Sequence, residues 1–166
     1  MERDHSPETV PVVEIFHKLT DAWIRGDLTT LDRHYHDKII GLEPEPPYRL
    51  LGKEKVLREY GKFLESGGRI EFLRSRDIKV EMFGDTALLT YFFQTRRMLP
   101  GGRGREFSGK ETLLFVRQES LWKLAHWHYS IDPPAVKDGR AETWGGGYGP
   151  PGVARAWGPG HRKRSS

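Results

Sequence analysis

The spacing of apolar residues divides the chain into a helical part and a strand part. Near the N-terminus apolar side chains recur every three to four residues, which is typical of amphipathic helices that bury one stripe. The pattern predicts a helix over residues 8–25, ended by Gly26, and a short second helix capped by Asp27. A third helix is predicted over residues 53–64.

Strand periodicity begins after the first two helices and dominates from residue 69 onward. A short strand is predicted over residues 38–42, closed by the proline-rich stretch 43–47. Apolar and polar residues then alternate in four long segments joined by short turns, which predicts an antiparallel meander. Its strands are predicted at residues 70–82, 86–98, 107–117 and 121–131. Three helices with such a meander indicate an α+β fold with helices packed on one face of a strongly bent sheet.

Composition and charge separate a folded region from a tail. The 166 residues are enough for one domain, which we place at residues 1–136. The net charge of +4 resides entirely in residues 133–166, so the remainder carries no basic excess that would indicate nucleic-acid binding. Residues 137–166 are rich in Gly and Pro and are predicted to be disordered. We therefore expect no nucleic-acid partner except through this tail, for which a solubilising role is the preferred interpretation.

The remaining composition excludes several classes of chemistry. The chain has no cysteine, which excludes disulfides, thiolate nucleophiles and cysteine metal sites. It has no apolar run of the roughly 20 residues that span a bilayer and no secretory signal at its start. We therefore expect no membrane association and a cytoplasmic location.

Several short motifs, taken in order, resemble one known superfamily. They are Gly26-Asp27, Leu42-Glu43-Pro44-Glu45, Gly84-Asp85, Gly101-Gly102, Lys110-Glu111-Thr112 and the segment from Trp122 to Ser130. Together they resemble the association domain of calcium/calmodulin-dependent protein kinase II, within the nuclear transport factor 2-like, SnoaL-like and ketosteroid isomerase-like superfamily. The resemblance implies a cone-shaped, cystatin-like barrel with three helices on the concave face of a mostly antiparallel sheet. It also implies self-association, at least as a homodimer, through the outer face of the sheet.

The resemblance also implies a pocket inside the cone, and this chain departs from its relatives there. The kinase domain holds a carboxylate with two arginines and a histidine, and Phe93, Tyr129 and Val56 stand at the matching positions. Without those cations we expect an apolar, aromatic pocket for a small organic molecule. Arg96 and Arg97 are expected to be solvated at the strand end. The pocket residues predicted are Trp23, Tyr35, Tyr91, Phe93, Thr95, Glu111, Trp127 and Tyr129.

An enzyme is the alternative hypothesis. Ketosteroid isomerase relatives place a carboxylate base where the first strand ends before a proline, and Glu43-Pro44 matches that place. Glu43 would act as general base and Tyr129 or Tyr91 as hydrogen-bond donor in a cofactor-free isomerase, dehydratase or cyclase. The donor tyrosine of the first helix in those relatives is replaced here by Leu19. A Glu43 side chain inside the cavity, near a phenol, would favour this hypothesis.

The remaining polar residues admit a structural or a functional interpretation. His126 and His128 are two residues apart on a strand and therefore share a face. The resemblance implies that this face points outward and that both histidines, together with Trp122, belong to a subunit interface. Glu111 is interpreted either as an acid or base or as the partner of a cation on the next strand. His34 and His36 are expected at the surface. No metal site can be completed from these residues, and no cofactor is expected.

Overall fold

The three predicted helices are all present, with bounds that differ by a residue or two. The computed structural model describes residues 7–133, which lie almost entirely within one compact unit, Met1–Asp132. The helices are α1 (Val10–Arg25), α2 (Leu28–His34) and α3 (Lys53–Glu65). Gly26 ends α1 with φ +68°, and the Asp27 side chain accepts a hydrogen bond from Thr30 N at 3.0 Å. Both cap predictions are therefore confirmed.

The sheet has six strands, one more than predicted. They are β1 (Tyr35–Leu42), β2 (Arg49–Leu51), β3 (Arg69–Phe83), β4 (Thr86–Met98), β5 (Gly104–Gln118) and β6 (Leu121–Ile131). Their order is β2-β1-β6-β5-β4-β3, and every pairing is antiparallel except that of β1 with β6. The additional strand, β2, folds back on β1 after the proline-rich stretch and is too short to show an alternating pattern.

The α+β class, the three helices and the curved, mostly antiparallel sheet are as predicted, but the sheet is not closed into a barrel. It ends at β2 on one side and at β3 on the other. The core between α1 and the sheet is apolar and well buried; it includes Phe16, Leu19, Leu89, Leu113 and Phe115. Leu19 is one of its members, so it offers no polar group to a ligand. The predicted tail, residues 137–166, lies outside the described residues.

None of the helices within residues 7–133 is long and apolar enough to cross a bilayer. The cytoplasmic location stays a prediction.

Candidate functional site

A cavity of about 350 Å³ opens between the concave face of the sheet, α3 and the loop that follows β1. Most of its wall is apolar or aromatic. Trp23 of α1 and Tyr60 of α3 form part of the wall, and Phe93, Phe107 and Trp127 come from three strands of the sheet. Polar side chains from different elements also line it; they include Glu43, Thr95, Arg97, Glu111 and Tyr129. An apolar cavity with a few convergent polar groups is the usual form of a small-molecule site.

Glu43 is held inside this cavity by two donors from β6. The parallel pairing of Leu42 with His128 brings the residue after β1 beside the cavity face of β6. Glu43 Oε1 accepts a hydrogen bond from Trp127 Nε1 at 3.0 Å, and Oε2 accepts one from the Tyr129 hydroxyl at 2.8 Å. Glu43 and Tyr129, the two residues of the enzyme hypothesis, are thus in direct contact.

Arg97 supplies a positive charge to the same cluster, although the sequence predicted that it would be solvated. Arg97 Nη1 donates a hydrogen bond to the Tyr129 hydroxyl at 3.3 Å, and its guanidinium lies over the rings of Phe107 and Tyr129 at 5.2 and 5.5 Å. Its Nε is buried without a hydrogen-bond partner among the described residues. Burial opposes a high pKa for Arg97, but Tyr129 and the carboxylates of Glu43 and Glu111 raise it above its ordinary value.

The pattern that could have located Arg97 was present in the sequence. In β4 the buried positions are Ala87, Leu89, Tyr91, Phe93 and Thr95, and Arg97 is the next residue on that face. The strand also continues through Met98, paired with Arg69 and Gly104. Arg97 therefore points inward, although we expected it to be exposed to solvent at the end of the strand.

Glu111 is the second carboxyl group of the cavity. It lies in the middle of β5, directly opposite Tyr91 of β4, and the Tyr91 hydroxyl donates a hydrogen bond to its Oε2. The pKa of Glu111 is raised to about 7, mainly by burial. Glu43 also raises it, whereas the hydrogen bond from Tyr91 and the charge of Arg97 lower it. The expected cation partner on a neighbouring strand is thus replaced by a phenol, which leaves the carboxyl group able to hold a proton near neutral pH.

Tyr91 itself does not line the cavity, contrary to the prediction. It is 2% exposed and packs edge-on against Phe16 of α1, with ring centroids 4.8 Å apart. It belongs to the core behind Glu111, and it reaches the site through its hydroxyl alone. Burial raises its pKa well above the ordinary value for tyrosine, so the phenol remains a hydrogen-bond donor.

The other predicted pocket residues do line the cavity, but several have their polar atoms engaged. Trp23 Nε1 donates a hydrogen bond to the Tyr35 hydroxyl at 2.7 Å, and Tyr60, which was not predicted, donates to the Trp23 carbonyl. Thr95 donates its hydroxyl proton to the Phe72 carbonyl oxygen at 2.8 Å. Trp23, Tyr35, Phe93, Thr95, Glu111, Trp127 and Tyr129 thus lie together, and the roles predicted for them remain to be tested.

The loop after β1 closes part of the cavity through an ion pair. Glu45 of this loop accepts a hydrogen bond from Arg105 Nη1 at the start of β5, and both side chains border the cavity. The sequence did not predict this contact, because the two residues are 60 positions apart. The pair connects the loop that carries Glu43 to the sheet.

The predicted interface residues separate in the structure. His128 is exposed and His126 is half-buried, and they alternate with the cavity residues Trp127 and Tyr129. Trp122, in contrast, is 8% exposed and belongs to the core. The partners of β5 residues Leu114 and Phe115 on β6 are His126 and Leu124, so Ala125 is an extra residue at a bulge. The bulge reverses the alternation and turns Trp122 inward, which corrects its predicted outward orientation.

Within residues 7–133, no group of three or more His, Asp or Glu residues is arranged to hold a metal ion. Besides Glu59 and the Glu45–Arg105 ion pair, the described part of the cavity wall offers the carboxyl groups of Glu43 and Glu111, the Arg97 guanidinium and the phenol of Tyr129.

Comparison with protein families confirms the resemblance seen in the sequence. The model of the SnoaL-like domain family matches residues 12–134. No curated protein matches the chain significantly.

Solved structures with the same fold cover most of this chain. One, from Caulobacter vibrioides, is an uncharacterised protein with a cystatin-like fold, 16% identical, with a TM-score of 0.64 and coverage of 78% of this chain and 92% of its own. A candidate dehydratase of the nuclear transport factor 2-like family from Streptomyces avermitilis is 24% identical, with a TM-score of 0.64 and coverage of 76% and 99%. A candidate calcium/calmodulin-dependent protein kinase II association domain from Xanthomonas campestris is 14% identical, with a TM-score of 0.66 and coverage of 81% and 95%. At these identities the likeness establishes the fold alone.

Proposed function

Because the chain belongs to the SnoaL-like domain family, whose fold hosts many activities, we propose a function from its site: proton transfer on a small, largely apolar organic molecule. The observation that carries the proposal is the pair of carboxyl groups in one cavity. Glu43 is held by Tyr129 and Trp127, and Glu111 has a pKa of about 7. This favours the enzyme hypothesis over a pocket that binds without reaction.

The environments of the two carboxyl groups assign them different roles. Glu43 is held inside the cavity by two hydrogen-bond donors, which orients it to remove a proton from the bound molecule. Glu111 holds a proton below about pH 7 and can donate a hydrogen bond to an oxygen that becomes negative as the reaction proceeds. A buried carboxyl group that keeps its proton near neutral pH, beside a second carboxyl group in the same site, is a usual basis for separate acid and base roles.

The cavity limits the size and character of the substrate. About 350 Å³ accommodates a molecule of one or two rings. The aromatic wall of Phe93, Phe107 and Trp127 favours an apolar body, and the polar cluster at one side favours one carbonyl or hydroxyl group. The structural likeness to a candidate dehydratase from Streptomyces avermitilis is compatible with such chemistry. For this chain the proposed reaction is an isomerisation, a dehydration or a cyclisation.

A direct test uses 5-nitrobenzisoxazole as the probe. Its ring opens when a base removes the C3 proton; that C–H electron pair forms the nitrile, the N–O bond breaks, and a coloured phenolate is released. We expect a saturable rate above that of buffer, and a decrease of about 100-fold in Glu43→Gln. Glu54→Gln, exposed on α3 and not part of the cavity wall, is the matched control and should keep the wild-type rate.

The pH dependence of the same reaction tests the role of Glu111. The wild-type rate should decline as the pH rises through about 7, because the proton that stabilises the leaving oxygen is then lost. Glu111→Gln keeps an N–H donor at every pH, so its rate should show no inflection there. An unchanged rate in Glu43→Gln would contradict the proposal, and so would binding of the probe without turnover.

Self-association is a second proposed property, supported by the outward face of the sheet. Phe92 of β4 and Ile40 of β1 are each 41% exposed on strands whose other faces are buried. Candidate association domains among proteins of the same fold make contact between copies a reasonable expectation. We propose that this face, including His126 and His128, contacts a second copy of the chain.

A further inference from the structure

A second concave surface lies away from the cavity, between α1, α2 and the start of β6. Its volume is about 380 Å³, and it shares no lining residue with the cavity of Glu43 and Glu111. Side chains of Lys18, Asp21, Arg25, Arg33, His34 and Leu121 form it, and we call it the α1–α2 groove. Nothing in the proposed proton-transfer function uses this surface.

His34 is buried in the groove wall, and one of its two ring nitrogens lacks a hydrogen-bond partner among the described residues. The sequence predicted a surface residue at the end of α2, but the side chain is 7% exposed. Its Nδ1 is buried and has no partner among the described residues. Since buried polar groups are nearly always paired, an unpaired Nδ1 in the wall of a groove leaves a position for a partner beyond the described residues.

The charges around His34 indicate the sign of that partner. Lys18 of α1, Arg33 of α2 and Lys123 of β6 all act on the ring, and after the larger effect of burial they lower the pKa of His34. Lys123 Nζ donates to the Arg33 carbonyl oxygen at 3.0 Å, and within residues 7–133 no ion pair holds Lys18 or Arg33. Three cations around a buried histidine leave a local positive charge without a counterion.

The acidic side chains near the groove do not remove this excess. Asp21 is the one carboxylate among the described residues that line it, against three cations. Asp27 lies 3.9 Å from Arg25 and is occupied by hydrogen bonds from Thr30. The chain through residue 132 has no net basic excess, so this concentration of charge is local rather than a consequence of overall composition.

We propose that the α1–α2 groove binds a small oxyanion, the phosphate or carboxylate group of a metabolite, between Lys18 and Arg33 and against the imidazole of His34. Charge-assisted hydrogen bonds from a guanidinium and an ammonium are the contacts that such groups prefer. A bound anion would also supply the negative charge that the surrounding cations lack. The ligand would then be held at a site separate from the reaction cavity.

The test follows the His34 ring by NMR in the full chain as sodium phosphate, sodium acetate or sodium chloride is added at matched ionic strength. Lys18 and Asp21 on α1, Arg33 on α2 and Lys123 on β6 are the charged groups that face the ring. A bound anion favours the imidazolium, so we expect a saturable change in chemical shift and a higher pKa for His34 with phosphate or acetate. Chloride should give neither.

Variants separate the groove from general salt effects. Arg33→Gln and Lys18→Gln should each weaken anion binding about tenfold, whereas Lys55→Gln, exposed on α3, should bind as the wild type does. Saturation by phosphate alone identifies a phosphate site, and saturation by acetate alone identifies a carboxylate site. Equal responses to all three salts, or no loss in the Arg33 and Lys18 variants, would overturn the proposal.

Discussion

The two faces of β6 show how one strand can serve two opposite purposes. Trp127 and Tyr129 point into the cavity, where both donate hydrogen bonds to Glu43. His126 and His128 alternate with them on the outward face, and His128 is exposed. The inward side chains of Trp127 and Tyr129 are hydrogen-bonded to Glu43, and the Tyr129 hydroxyl also accepts a hydrogen bond from Arg97. The outward histidines can hydrogen-bond to water instead. The same kind of substitution should therefore have large effects on one face and small effects on the other.

The largest effect is expected from Glu43→Ala. This change removes the acceptor for Tyr129 and Trp127 and one of the two carboxyl groups that act on the charge of Arg97. Leaving a partly buried cation and two donors uncompensated should lower the free energy of unfolding by about 3 kcal/mol. Urea unfolding measures this change in the free energy of unfolding. His128→Ala, on the exposed face of the same strand, should change the free energy of unfolding by less than about 0.5 kcal/mol. Equal losses in both variants would contradict the distinction between the two faces.

The next effect concerns the pH dependence of stability through Glu111. Its pKa in the folded protein, about 7, lies above the ordinary value of 4.5, so the folded state holds the proton between these values while the unfolded state has lost it. Stability therefore declines as the pH rises from about 4.5 to 7 and is constant above, by up to about 3 kcal/mol. Glu111→Gln has no such proton to lose, so its stability relative to wild type should rise over this window. A parallel pH dependence in both proteins would contradict the assignment.

A smaller structural effect is expected from Gly41→Ala on β1. A Cβ at this position would lie 2.0 Å from the ring of Trp127, so the indole must move and with it the hydrogen bond to Glu43. We expect a loss of about 2 kcal/mol and a change in tryptophan fluorescence. Gly61→Ala, within α3, is the matched control, because the nearest atom to its Cβ would be 3.7 Å away. This substitution should stabilise the helix slightly. A stable Gly41→Ala variant would show that the packing around Trp127 is loose.

The smallest effect on stability is expected on the outward face. Phe92→Asp should leave the unfolding free energy nearly unchanged but shift the protein from dimer to monomer in analytical ultracentrifugation. Phe83→Asp, at the exposed end of β3, is the control and should leave the dimer intact. If wild type is already a monomer, or if Phe83→Asp dissociates the dimer and Phe92→Asp does not, the proposed interface is wrong.

Most of the fold followed from local patterns in the sequence. The stripe of α1, the caps at Gly26 and Asp27 and the bounds of β4 and β6 depend on neighbouring residues alone, and the structure agrees with them. Glu43 and Tyr129 were chosen from the resemblance to the superfamily, and both line the cavity, while their roles stay predictions. Alternation on a strand fixes the face on which a side chain lies, which accounts for the agreement in β4.

The errors arise where the determining contact is distant in the chain or interrupts the alternation. Trp122 was assigned to the wrong face because nothing in the sequence marks the bulge at Ala125. We expected Arg97 and His34 at the surface, because both are polar and each lies at the end of a strand or helix. Packing against elements distant in the chain instead buries Arg97 Nε and the His34 ring. The ion pair of Glu45 with Arg105 depends on a loop that only the folded sheet brings near.

The proposed function depends most on Glu111 holding a proton near neutral pH in the same cavity as Glu43. Carbon-13 NMR of the glutamate side-chain carboxyl groups, with Glu111 assigned by its absence in Glu111→Gln, measures this directly. We predict a midpoint near 7 for Glu111 in the wild-type protein. A midpoint close to the ordinary value of 4.5 would show that Glu111 has lost its proton at neutral pH and would contradict its assignment as the acid.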